Sequence, residues 1–291
     1  MNYNNVNKKN IYKHKIRTYF IVFSILILAM TFLGIYIYKW EFREPLLEMH
    51  FFSLNRGRAI FIRTPENKTI LIGGGQNSEL IREITKVTPF YSRKIDYMII
   101  PSATPAQIGG FIEIIDRYSV GEIIMPKTMA TSTVLTQLLK KIHKNKIHIE
   151  EVEEGDEVAI EKDNSIDMKN KITSDESITF KVLFPNKDFK YNKTSLPELG
   201  LLTSYKNTNA YLLGNLSKTI QKYILKNLAK DMEVIGMQNS KGENIVEYYH
   251  SMSKTKLSDE LFEFINPKYI FSTKEKTMYL ISDGDRWYKK L

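Results

Sequence analysis

Hydrophobic positions along the chain follow two different patterns. Residues 18–38 form one uncharged apolar run, whereas from residue 47 onward short apolar segments alternate between strand-like and helix-like spacing. Residues 94–100 (KIDYMII) are almost continuously apolar, as in a strand buried on both faces, and residues 78–87 place apolar side chains at helical spacing. The alternation predicts an α/β fold in which two packed sheets are flanked by helices.

The individual elements follow from the same spacing and from the turn-forming residues between them. Strands are predicted at 49–54, 59–64, 69–72, 94–100, 122–125, 147–152, 178–184, 200–205, 210–215, 232–237, 269–272 and 278–281. Helices are predicted at 78–87, 109–120, 129–144, 217–229 and 254–265. Residues 161–177 are polar and have no period, which predicts an exposed loop.

The uncharged run has the properties of a single transmembrane helix. At about 1.5 Å per residue, residues 18–38 match a hydrocarbon core of about 30 Å. Aromatic side chains, which prefer the membrane interface, lie at its two ends, as Tyr19, Tyr36, Tyr38 and Trp40. A cleaved signal peptide would have a shorter apolar region followed by small residues, and the sequence KWEFREP offers no such cleavage site.

The charges on either side of this run predict its orientation. Residues 1–17 contain five Lys and Arg and no acid, whereas Lys39 and Arg43 follow the run. By the positive-inside rule the N-terminus is cytoplasmic and the remainder lies outside the cell membrane. The predicted organisation is a basic cytoplasmic tail (1–17), a transmembrane helix (18–38), a junction (39–46) and an extracytoplasmic domain (47–291).

Composition narrows the classes of function. The chain has no cysteine, which excludes disulfide frameworks, thiolate metal sites and cysteine nucleophiles. The net charge is +9, but residues 1–17 contribute +5 of it, so the other 274 residues carry only +4. A DNA-binding domain concentrates more positive charge than this, so we expect DNA binding to be weak and a protein of the cell envelope to be the partner.

Four strings of the domain, in this order, resemble a known family. They are residues 54–75 (LNRGRAIFIRTPENKTILIGGG), 95–110 (IDYMIIPSATPAQIGG), 211–216 (YLLGNL) and 235–241 (IGMQNSK). They resemble the metallo-β-lactamase fold, and within it the extracytoplasmic domain of the competence DNA-internalisation protein ComEC. The resemblance implies a four-layer αβ/βα sandwich over residues 47–291. It also implies a role beside DNA uptake or another envelope process.

The same resemblance implies where the family's metal ligands would lie, and every such position is altered. The corresponding positions are Gly73, Ser102, Thr104, Ala106, Gln107, Asn215, Met237 and Gln238. Arg56 and Arg58 also stand where the family usually has Gln and Asp. Zinc requires imidazole, carboxylate or thiolate ligands, and none of the eight positions supplies one. The sequence therefore predicts a vestigial site with no catalytic residue, metal or other cofactor.

Other candidate motifs are weaker. His143 and His148 are five residues apart across a helix-to-strand turn, which favours two surface histidines over the i, i+4 pair typical of a metal site. Gly73–Gly75 lacks the lysine of a phosphate-binding loop, so it predicts a tight turn.

Three functional hypotheses follow from these observations. The leading one is a catalytically inactive, membrane-anchored binding or scaffold module. The alternatives are a metal-dependent hydrolase of the same superfamily with a rebuilt site, and a DNA-binding ectodomain that keeps the groove without the metal.

Overall fold

The computed structural model divides the chain into two compact units, Met1–Glu44 and Pro45–Leu291. The residues that it describes are 17, 19–35, 46–127, 131–160, 177–186, 199–235, 243–248, 258–272 and 277–290. In the first unit, residues 19–35 form helix α1, and all of them are exposed. The predicted span of residues 18–38 extends beyond the described part of this helix at both ends. Among the described residues, no helix combines the length and the apolar character needed to span a membrane.

The second unit contains two sheets, and the larger has eight strands. In sheet order these are β14 (Trp287–Lys290), β13 (Met278–Ser282), β1 (Leu47–Ser53), β2 (Arg58–Arg63), β3 (Thr69–Ile72), β4 (Lys94–Ile99), β5 (Ser119–Pro126) and β6 (His148–Val152). The four strands from β3 to β6 are parallel, and the remaining pairs are antiparallel. All carboxyl ends of the parallel strands therefore lie at one end of the sheet.

The smaller sheet has six strands. In sheet order these are β12 (Tyr269–Ser272), β11 (Asn244–Tyr248), β10 (Thr208–Gly214), β9 (Gly200–Tyr205), β8 (Ile178–Phe184) and β7 (Glu157–Ile160). The helices of this unit are α2 (Glu79–Val87), α3 (Pro105–Ile108), α4 (Phe111–Arg117), α5 (Thr133–Lys144), α6 (Lys218–Ile235) and α7 (Asp259–Ile265).

Three clusters of buried apolar side chains lie between the layers and hold them together. The first lies between the two sheets and contains Phe51 from the large sheet and Phe180 from the small one. The second joins α2 to α5 to the outer face of the large sheet, with Phe111 fully buried. The third packs α6 and α7 against the outer face of the small sheet, through residues such as Ile224. The predicted four-layer order of helices, sheet, sheet and helices is therefore confirmed.

Most of the long apolar segments fold as predicted, but the strand predicted at 232–237 is wrong over residues 232–235, and residues 236–237 lie outside the described residues. Met232–Ile235 continue helix α6. Ile220, Ile224 and Leu228 are buried at four-residue intervals along this helix, and neither Gly nor Pro interrupts it before Ile235. Helical packing against the small sheet therefore overrides the local strand-like alternation of MEVIGM.

The helix predicted at 109–120 is also wrong in its extent, because α4 covers only Phe111–Arg117 and strand β5 begins at Ser119. A separate short helix, α3, precedes the predicted range. Three further strands, β7, β11 and β14, were not predicted. They have only four or five residues each. The predicted loop at 161–177 lies, except for Ser177, outside the described residues.

A polar cluster on β1 is buried on the helix-bearing face of the large sheet. The Glu48 carboxylate accepts a hydrogen bond from Arg63 at 3.0 Å, and its Oε2 lies 3.7 Å from Nε2 of His50. The His50 ring is 5% exposed and stacks on Tyr279, with ring centroids 4.1 Å apart. The nearby His50 ring, together with Tyr279 and the charge of Arg63, outweighs the effect of burial and lowers the pKa of Glu48 to about 2.

This shift predicts a contribution of Glu48 to acid stability. Because its pKa falls from the ordinary glutamate value of 4.5 to about 2 in the folded protein, its stabilisation is present above pH 4.5 and is lost as the pH falls toward 2. We expect Glu48→Gln to lower the free energy of unfolding at pH 7 and to flatten its dependence on pH between 4.5 and 2. Urea denaturation at several pH values measures both effects.

Glu157→Gln, at an exposed position, is the matched control and should leave the profile unchanged. Identical profiles for Glu48→Gln and the wild type would contradict the assignment.

Candidate functional site

Three loops meet at the carboxyl ends of the parallel strands. They are the β1–β2 turn (54–57), the glycine turn after β3 (73–76) and the segment after β4 (100–110), and together they are called the loop edge here. The amide of Gly73 donates to the carbonyl of Ile99 (3.2 Å), and the amide of Gly74 donates to that of Gln107 (2.5 Å). The amide of Gln76 donates to the carbonyl of Arg56 (3.0 Å), so backbone hydrogen bonds connect all three loops.

The glycines of these loops are required by the closeness of the backbones. A Cβ at Gly57 would overlap the carbonyl oxygen of Ala106, and one at Gly110 would overlap that of Gly74. Gly57 also has a φ of +93°, which disfavours side-chain-bearing residues. The two helices α3 and α4 are separated at Gly109–Gly110, the pair that lets the glycine turn pack against the start of α4.

The loop edge brings together most of the predicted vestigial positions that the structure describes. A Cβ built on Gly73 would lie 3.0 Å from Oε1 of Gln107. The hydroxyls of Ser102 and Thr104 are 3.1 Å apart. Ser102 and Gln107 are each 2% exposed, whereas Thr104 and Ala106 are partly buried.

Asn215 reaches the same end of the sandwich from the small sheet. The amide of Leu199, directly before β9, donates to the carbonyl of Pro101 at 2.7 Å, which places the start of β9 at the loop edge. Because β10 is antiparallel to β9, Asn215 follows β10 at that same end and is partly buried. Met237 and Gln238 lie outside the described residues.

A buried arginine adds positive charge to the loop edge. Arg58 is the first residue of β2 and is 4% exposed. Its carbonyl oxygen would lie 2.9 Å from a Cβ on Gly73. Arg56, two residues earlier, is exposed, so the two arginines do not share one environment.

The donor set of the loop edge does not fit a divalent metal. Hydroxyls of Ser102 and Thr104 and the amide of Gln107 are neutral, and Gly73 and Ala106 have no side-chain donor. Zinc is bound by ionised or imidazole ligands at about 2.0–2.2 Å, and burying a dication without compensating anions costs several kcal/mol or more.

Comparison with known proteins finds only distant likenesses. No family model matches the sequence, and no curated protein matches it. Among solved structures, the metallo-β-lactamase fold protein YhfI from Bacillus subtilis aligns over 78% of this chain and 85% of its own, with 6% identity and a TM-score of 0.47. A variant of the β-hydroxylase CmlA aligns over 78% of this chain and 45% of its own, with 14% identity and a TM-score of 0.47.

A long-form RNase Z from yeast aligns over 78% of this chain and 37% of its own, with 11% identity and a TM-score of 0.46. This chain thus corresponds to less than half of the CmlA and RNase Z chains. At these identities and TM-scores the likenesses are too distant to assign a family or an activity.

The close approach at the loop edge can be tested with two glycines of similar backbone conformation. Gly57 and Gly155 have φ of +93° and +89°, but a Cβ at Gly155 would meet nothing within 4 Å. We expect Gly155→Ala to cost about 1–2 kcal/mol of unfolding free energy, from the positive φ alone. Gly57→Ala should cost more, because the backbone at Ala106 must also move. Urea denaturation of the two variants measures the difference, and equal losses would contradict the packing described.

Proposed function

We propose that the chain is a membrane-anchored protein whose second unit has a metallo-β-lactamase-type fold without the catalytic metal site. In this proposal the domain is a binding or scaffold module and not a hydrolase. The observation that carries the proposal is the loop edge, where neutral hydroxyls, an amide, glycines and a buried arginine occupy the positions at which the family would bind metals. The order of layers and strands supports the family-type fold, and the altered donors argue against its chemistry.

The loop edge keeps its form without needing a metal to connect its loops. Backbone hydrogen bonds such as Gly74 to Gln107 and Gln76 to Arg56 hold the segments together. A rigid framework of this kind can present loops for recognition, since binding residues are commonly carried on loops positioned by a scaffold. We infer that recognition is the activity retained by this domain.

A protein of the cell envelope is the partner that this proposal favours. The net charge of +4 outside residues 1–17 is modest, whereas phosphate contacts to DNA call for a concentrated basic surface. Tethering to a membrane would raise the effective concentration of the domain for such a partner. A link to DNA uptake rests on the sequence resemblance alone.

The anchor in this proposal is the uncharged segment 18–38. The described part of this segment, helix α1, has thirteen large hydrophobic residues among its exposed side chains, from Tyr19 to Ile35. A helix that is apolar on all sides is typical of a protein core or of a membrane span. Five basic residues before the segment and two after it favour a cytoplasmic N-terminus and an extracytoplasmic domain.

Absence of metal-dependent hydrolysis is the main test of the proposal. We expect the purified full chain to hydrolyse no phosphodiester, nucleic acid or β-lactam when zinc, manganese or magnesium is added, because the loop edge supplies no anionic ligand. Turnover assays with an active metallo-β-lactamase and an active nuclease as positive controls measure this. Metal-dependent turnover that is lost on Gln107→Ala or Asn215→Ala would overturn the proposal and favour a rebuilt hydrolase site.

The orientation can be tested separately. Protease added to intact spheroplasts should digest the domain from residue 47 onward, because the charge bias places it outside the membrane. Immunoblotting against a C-terminal tag measures the loss, and a cytoplasmic protein in the same cells controls for lysis. Full protection of the tag would contradict the orientation, and recovery of the protein in the soluble fraction would contradict the anchor.

A further inference from the structure

A second group of possible metal ligands lies on the large sheet, away from the loop edge. Glu122 on β5 stands directly opposite His148 on the edge strand β6, and Glu150 follows two residues later on β6. One ligand atom from each of these three side chains lies within 4.8 Å of the other two. We call these three residues the β5–β6 triad.

The alternation of the strands explains why the three side chains meet. On β6, Ile149 packs toward the helices, so its neighbours His148 and Glu150 project from the opposite face. On β5, Ile123 packs toward the helices in the same way, which directs Glu122 to the face of His148 and Glu150. Residues directly opposite on neighbouring strands, and residues two apart on one strand, are close enough for their side chains to share a ligand.

A hydrogen bond already orients two members of the triad. Nδ1 of His148 lies 2.7 Å from Oε1 of Glu122, and the exposed fractions of the two side chains are 68% and 21%. Two atoms bound tetrahedrally to one zinc ion, at about 2.0–2.2 Å from it, are roughly 3.4 Å apart. A shift of under about one ångström in either side chain would therefore make room for the ion between them.

The triad has ionisable metal ligands, whereas the donor side chains at the loop edge are neutral hydroxyls and an amide. It supplies one imidazole nitrogen and two carboxylates, a donor set that zinc accepts, and the two negative charges balance those of a dication. A simple His–Glu ion pair would account for Glu122 and His148 but gives no role to the second carboxylate, Glu150. We propose that the β5–β6 triad is a binding site for a divalent transition metal such as zinc, which would link the edge strand β6 to β5.

The site is independent of the proposed function. His148 is the first residue of β6, so the triad lies toward the amino ends of the parallel strands, whereas the loop edge follows their carboxyl ends. The other histidine of this region, His143, is on helix α5 and does not belong to the triad.

The test is zinc binding to the full chain in detergent, after removal of metal with a chelator. Titration against a chromophoric zinc chelator compares the wild type with His148→Ala and Glu150→Gln, and circular dichroism checks that each variant is folded. His143→Ala and Glu151→Gln are the matched controls, since both residues are exposed and neither belongs to the triad.

We expect the wild type and both controls to bind one equivalent of zinc with similar affinity. His148→Ala and Glu150→Gln should each weaken it by more than about tenfold, since even the loss of a partner behind a metal ligand commonly costs 10–100-fold. The proposal is overturned if the wild type takes up no zinc, or if the triad variants bind it as tightly as the controls.

Discussion

The close backbone contact between the glycine turn (73–76) and the segment after β4 is the constraint on which the rest of the loop edge depends. Gly57 and Gly110 leave no room for a Cβ, so the three loops approach one another to the distance of backbone hydrogen bonds. This contact places Gln107 beneath Gly73 and buries Ser102. In this chain, the geometry of the edge is thus maintained by peptide groups and not by side-chain ligands.

A buried arginine lies next to this arrangement, at the start of β2. Arg58 is only 4% exposed. A buried cation is stable only where neighbouring groups form hydrogen bonds with it or neutralise its charge. Arg58 makes at least one polar, charged or ring contact within the fold. A positive charge at this place makes the local electrostatic potential favour anions or neutral dipoles over cations.

Much of the fold could be predicted because a short, continuous run of apolar residues between turn-forming residues indicates a strand that is buried on both faces. Residues 70–72 and 97–99 are buried on both faces of a sheet, and their continuous apolar character indicates this directly. By contrast, residues 232–235 belong to a helix although their sequence resembles a strand. Their secondary structure is decided by the packing of the preceding residues of α6. The positions predicted to be vestigial were identified only through the sequence resemblance. The β5–β6 triad could not be predicted from the sequence. Glu122 and His148 are neighbours because of the pairing register of two strands, and this register cannot be read from the spacing of the residues along the chain.

The pairing of β1 with β13 has a consequence for the order of folding. Residue 47 is aligned with residue 282, so strand β1 acquires its second neighbour only when the chain has been made as far as β13, more than 220 residues later. Contacts between such distant residues slow folding, because a long loop must lose conformational entropy before the contacts can stabilise the fold. During synthesis, the hairpin of β1 and β2 can form early, but its outer side stays an open sheet edge until the C-terminal strands arrive. The domain therefore completes its large sheet only after residues 278–290 have been synthesised.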